Sequence, residues 1–261
     1  MKKRILSILL LCCMVLTLLP TTVSAADGPM DTIPKYDVSI DVYNRTSDIS
    51  IKDSRSYYIY SSVPDKLRDT WAWDKKIFIK GDKTAPHVFI DGVNIEMSPS
   101  SKGPAIELNK KASAYIYFIG KNSSLQGADG RAAIQKNRSE GQLYVLARTG
   151  TTVTCKGGYR AAGIGGSWAI RNIGDSMFNM DMYGHGVNMH FGSQSNPDYW
   201  GGTIIATGGE YGAGIGAGSW GHSGYSGNTI HGGAGERLYF YSGTINARGG
   251  RLAAGIGGGF Q

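Results

Sequence analysis

TTVTCKGGYRAAGIGGS (residues 151–167), GTIIATGGEYGAGIGAG (residues 202–218) and GTINARGGRLAAGIGGG (residues 243–259) align without a gap. Self-similarity of this kind is the mark of a repeat architecture, in which no unit can bury its apolar side alone and stacked units can. Residues two apart on a strand face the same side. That alternation puts Val153, Ile204 and Ile245 in one inward column and Cys155, Ala206 and Ala247 in the next. Ala162, Ala213 and Ala254 form a third column, and Ile164, Ile215 and Ile256 a fourth. The intervening Thr, Asn, Lys and Arg face outward. The GG pair after each strand is expected to make the corner, because a positive φ is free of strain only for glycine.

Working outward, each repeat follows a further strand: Leu143 to Val145, Val187 to Phe191, and Leu238 to Tyr241. Degenerate copies run earlier. His87 to Ile90 and Tyr115 to Ile119 take the strand role, and Pro104 to Ile106 and Ala132 to Ile134 the role of the AAGI segment. Val88 to Ile116 is 28 residues and Ile116 to Leu143 is 27, one solenoid turn each. The next intervals lengthen to 44 and 51, so loops of roughly 15–20 residues leave the array at Ser167 to Tyr183 and Ser219 to Arg237, with a shorter one at Ser193 to Tyr199. The expected fold is all-β: a right-handed parallel β-helix over residues 86–261 that bears long loops, a class of element that often carries the binding face.

Ahead of it, residues 26–85 read as an irregular, β-rich N-terminal cap. Only Gly28 and Gly81 precede residue 91. Alternating segments mark strands at Val38 to Val42, Ile49 to Ile51, Tyr57 to Tyr60 and Ile77 to Ile79, and Val63 to Asp74 has room for one helical turn at most. The first 25 residues have the form of a secretory signal peptide: Met1-Lys2-Lys3-Arg4, an apolar run from Ile5 to Leu19, Pro20, and the small residues Val23-Ser24-Ala25 before the cut. The run is shorter than the roughly 20 residues of a bilayer span, and no other transmembrane candidate follows.

Cleavage after Ala25 leaves Cys155 as the single cysteine, so no internal disulfide staples the mature chain, and a large or repetitive core is required. The column occupied by Cys155 marks it as a small buried group. Losing Lys2, Lys3 and Arg4 lowers the formal charge from +7 to about +4. That balance is too mild and dispersed to point to nucleic acid.

Glycoside hydrolysis needs two carboxyl groups flanking the bond, and a lyase needs a base and usually an acid-held cation. Asp175, Asp181, Asp198, Glu210 and Glu236 are single and scattered, mostly in loops. His185 with His190, and His222 with His231, have no cysteine or glutamate in ligand register, so no metal is expected. The Ca²⁺-binding GGxGxD nonapeptide and a phosphate loop are both missing, and no cofactor is implied. Aromatics speak more clearly. Trp168, Trp220 and Phe260 follow the repeat isoleucine by four or five residues; Tyr159 and Tyr211 come just after the GG corner; Trp200 lies in a loop. Flat rings facing water suit the apolar face of a sugar; the plainer alternative is a ladder that packs on itself.

The motif GG-x-x-(A/G)-A-G-I-G resembles that of secreted surface proteins of Gram-positive bacteria, and the coil pattern resembles the pectin-lyase-like parallel β-helix superfamily. The resemblance spans residues 77–261 and implies a solenoid; it leaves lyases, hydrolases, sugar-binding domains and adhesins open. The expectation is a non-enzymatic, secreted or cell-surface module, adhesive or carbohydrate-binding, with a polysaccharide or wall glycan as partner and Tyr159, Trp168, Trp200, Tyr211, Trp220 and Phe260 as the binding residues. A β-helix polysaccharide lyase or glycoside hydrolase, and a structural stalk, are the alternatives.

Overall fold

The computed structural model describes residues 34–261 except 82, 102, 110, 137–139, 172–183, 223–229 and 261; of residues 169–171, 220–222 and 230–232 it describes the backbone alone. The signal-peptide segment, Asp175 and Asp181 lie outside the described residues. Three all-parallel sheets stack along the described chain, and successive strands cycle through them, which makes a three-sheet parallel β-helix. Sheet A contains Val38–Asp41, Ser56–Tyr60, His87–Asp91, Ala114–Ile119, Leu143–Ala147, Gly186–Phe191 and Gly235–Phe240. Sheet C contains Asn94–Glu96, Ser123–Gln126, Thr152–Lys156, Thr203–Thr207 and Thr244–Arg248. Sheet B contains Ile49–Ile51, Ile77–Lys80, Ile106–Asn109, Ile134–Gln135, Ile164–Gly165, Ile215–Gly216 and Ile256–Gly257.

The repeat columns are real ladders. Val153 pairs with Ile204 and Ile204 with Ile245; Leu125, Cys155, Ala206 and Ala247 pair in series beside them. In sheet B the isoleucine column is longer than the three repeats suggest: Ile49, Ile77, Ile106, Ile134, Ile164, Ile215 and Ile256 stack in unbroken register. All but the last are buried, each side chain contributing about 1.5–3 kcal/mol. Sheet A answers with Val38, Tyr57, Val88, Ile116, Val145, Phe191 and Phe240.

Stacking begins at Val38–Asp41, well before residue 86, where the glycine repeats begin to be readable. The strands of the N-terminal region are the first rungs of the same sheets: Ile40 pairs with Ile59, and Ile49 with Ile77. What these first coils lack is a sheet C strand. An irregular stretch with a single 3₁₀ turn, Asp65–Leu67, stands in its place, and Trp73 alone bridges to Ile95. The long loops also hold structure: Ala169–Arg171, Ser219–His222 and Ile230–Gly232 make a small fourth sheet.

The corner works differently from the expectation. None of the corner glycines, Gly157 and Gly158, Gly208 and Gly209, or Gly249 and Gly250, has a positive φ. Glycine is needed there for closeness: a Cβ on Gly158 would run into the Ala128 backbone, and one on Gly209 into that of Gly158. The left-handed residue comes two positions later, at Arg160 (φ 62°), Tyr211 (φ 68°) and Leu252 (φ 63°), matching Gly130 (φ 73°) in the coil below. The second glycine of each GIG combines both demands. Gly165 and Gly216 have φ of 129° and 131°, and a Cβ on either would meet the carbonyl of the corresponding glycine on the next coil.

Candidate functional site

The left-handed turn at Arg160 throws its guanidinium into a cluster of rings at the corner between sheets C and B. The guanidinium carbon lies 5.0 Å from the ring centre of Tyr159, 5.2 Å from Trp168 and 5.7 Å from Tyr211. Tyr211 in turn packs at 5.2 Å against Phe260. Trp168 is held against Gly130, where a Cβ would come within 3.2 Å of the indole, and its backbone N–H donates to the Gly130 carbonyl at 2.9 Å. The indole N–H of Trp168 and Nε of Arg160 are buried without a hydrogen-bond partner among the described residues. Tyr159 is 41% exposed. Four of the six aromatics read from the sequence therefore meet here, Trp168, Tyr211 and Phe260 half-buried and Tyr159 exposed. The backbone of Trp220 pairs with Ala169 and His231; its side chain is outside the described residues.

Trp200 sits elsewhere. It is 3% exposed and packs on the outer side of sheet A, 5.0 Å from Tyr117 and edge-on to Tyr199 at 4.8 Å. That outer face carries a second apolar cluster, separate from the lumen, with Tyr58, Phe89, Tyr117 and Leu146. Beside it runs a ring ladder that no local motif announces: His87, Tyr115, Tyr144, His190 and Tyr239 stack in register with centroids 4.4–4.7 Å apart. The rings cover one another's faces and show water mainly their edges, so the ladder serves the sheet more than it serves a sugar.

Three of the remaining candidates, Glu210, His185 and His190, have structural partners. Glu210 lies 3.9 Å from Arg251. His185 accepts the Ala234 N–H at 3.0 Å, and Nδ1 of His190 is 3.0 Å from the Tyr241 hydroxyl. Burial pushes the His190 imidazole below its ordinary pKa. Among the described residues no three His, Cys, Asp or Glu gather as metal ligands. Cys155 is fully buried, and that burial drives its thiol pKa far up.

One hollow is not predicted by the repeats. A groove of about 740 Å³ lies on the outer face of sheet C, where the stretch that replaces a strand in the earlier coil rises as a wall. Its floor is a register of short polar side chains: Asn94, Ser124 and Thr154 in one column, Asn122 and Thr152 in the next. Asp65, Arg68 and Asp69 form the wall. Wall and floor are tied together. The Asn94 side-chain amide donates to the Arg68 carbonyl at 2.9 Å, Arg68 Nη1 donates to the Gly92 carbonyl at 3.0 Å, and Lys121 Nζ donates to Asp65 Oδ1 at 2.7 Å. Lys121, seconded by Arg68, holds the Asp65 carboxyl below its ordinary pKa. A smaller hollow of about 140 Å³ continues over Asn94 and Ser124 to Glu96 and Gln126, with the half-buried Trp71 as its side.

These features define the chain as a parallel β-helix bearing an aromatic corner and a polar groove. No family model, curated protein or solved structure matches it.

Proposed function

We propose that this protein is exported and serves as a non-enzymatic surface module that holds carbohydrate, in the manner of the Gram-positive surface proteins and β-helix sugar binders its repeats resemble. The observation that carries the reading is the corner cluster: Tyr159 and Tyr211 beside Arg160, with Phe260 packed against Tyr211. Ring faces meet the C–H face of a sugar while the guanidinium meets hydroxyls. Each stack contributes only about 1 kcal/mol, so useful retention comes from several contacts on one polymer through effective concentration.

The test is retention on insoluble wall and plant polysaccharides. Tyr159→Ala/Phe260→Ala is expected to release protein that the wild type keeps bound, while reducing ends and unsaturated ends stay at background for both. Equal retention of the two proteins, or none of either, removes the corner from the argument. Turnover of the polymer would establish the lyase or hydrolase alternative instead. N-terminal sequencing of protein from the medium of a secreting host should begin at Ala26.

A further inference from the structure

We infer that the groove on sheet C is a distinct subsite for a short, neutral oligosaccharide lying along the helix axis. The inference rests on the carbohydrate reading above but uses none of the corner residues. Its first support is shape. The groove is open, lies within the ~300–1,000 Å³ usual for small-ligand sites, and runs across coils whose floor side chains repeat every ~4.8 Å. Its second is pre-organisation. Asn94 Oδ1 accepts the Ser124 N–H at 3.0 Å and Asn122 Oδ1 accepts the Thr152 N–H at 2.8 Å, so both amides are fixed in orientation before any ligand arrives. The hydroxyls of Ser124 and Thr154 stand beside them on the same outer face.

The third support is charge. The cations of the groove, Arg68 and Lys121, are both drawn to Asp65, at 3.3 and 2.7 Å. Asp69 has no ion pair among the described residues, and Glu96 lies exposed at the far end. An anionic polymer entering here would meet carboxylates and cations already paired. A neutral sugar would meet carboxylate acceptors for its hydroxyls, amide donors, and one aromatic side wall, Trp71, which is steadied edge-on by Tyr43 at 5.4 Å. That is the mixture of a few polar groups and one apolar surface that orients a polyhydroxylated ligand.

Titration calorimetry and tryptophan fluorescence with neutral hexasaccharides of glucose, xylose and mannose, and with hexagalacturonate as the charged comparator, test the site. At least one neutral sugar is expected to bind, with little change on raising salt, because no free ion pair is formed. Ser124→Tyr/Thr154→Trp fills the groove from outward positions and should weaken that binding about tenfold or more, at an unchanged melting temperature. Tyr159→Ala/Phe260→Ala should leave it within about twofold. Unaltered binding by the filled groove, loss through the corner variant instead, or a preference for hexagalacturonate overturns the inference. Polymer retention without any hexasaccharide binding overturns it too, and leaves the corner reading standing. Failure of both removes both.

Discussion

Gly165→Ala and Gly257→Ala are the same change in the same column of the GIG repeat, and the structure separates their costs. Both positions have φ well above zero, 129° and 121°, where an alanine is strained by about 1–3 kcal/mol. Gly165 has a coil above it. A methyl there would lie inside the van der Waals envelope of the Gly216 carbonyl oxygen, and only a backbone shift can relieve it. Such overpacking costs about 1–3 kcal/mol more. Gly257 has no following coil in the described chain, and its methyl would find only the Ala254 Cβ at 4.0 Å. The expected losses are therefore about 2–6 kcal/mol at Gly165 and about 1–3 kcal/mol at Gly257. At about 2–4 °C per kcal/mol for a chain of this size, the melting temperatures should fall by clearly different amounts. Thermal and urea unfolding followed by circular dichroism measure this, with several probes because solenoids need not unfold in one step. Equal losses would mean that conformation alone keeps glycine in the motif, and the close approach of successive coils would be refuted as its cause.

Ile215→Asp places an unpaired carboxylate in a fully buried column and should cost several kcal/mol, whereas Thr207→Asp on the outer face should leave the melting temperature nearly unchanged. The Cys155 thiol, its pKa pushed up by burial, should resist thiol reagents in the native protein from neutral to mildly alkaline pH and react at once in denaturant. His87 and His190 have folded pKa values lowered by burial, so the unfolded chain binds protons first. Their contribution is complete above about pH 6.5 and is lost as pH falls; the urea midpoint should drop between about pH 7 and about pH 5, and His87→Phe/His190→Phe should flatten that drop.

The core was legible wherever a repeat gave the register. Val153 above Ile204, and Cys155 beside Ala206, follow from alignment alone because strand alternation leaves no second choice. The strands of the earliest coils were legible by their alternation, but their stacking into the same sheets was not, since these coils lack glycine corners and one of them substitutes an irregular stretch for a sheet C strand. The groove was hidden too: its wall comes from Asp65 to Asp69, and two strands of its floor, Asn94–Glu96 and Ser123–Gln126, are too short and polar to be read from the sequence. Trp200 looked like a loop aromatic open to solvent, yet its loop folds back over Tyr117. The ladder from His87 to Tyr239 was missed because its members recur at unequal intervals, set by the loops between them.

Filling of the lumen sets a rule for how such a chain can change its number of coils. Along sheet C the two inward columns compensate: Ser123 and Leu125 give way to Val153 and Cys155 and then to Ile204 and Ala206, one column growing as the other shrinks. Each coil balances its own large and small partners, as a close-packed interior requires. A hybrid strand carrying both Leu125 and Ile204 would overfill its coil, and one carrying both Ser123 and Ala206 would leave it hollow. A crossover inside the sheet C strand therefore breaks the match, and one in the seam that follows it, before the next sheet A strand, keeps it. The AAGIG segment, the most repetitive stretch of the chain, falls in that seam. Misaligned recombination between two copies would swap whole coils and leave every lumen filled.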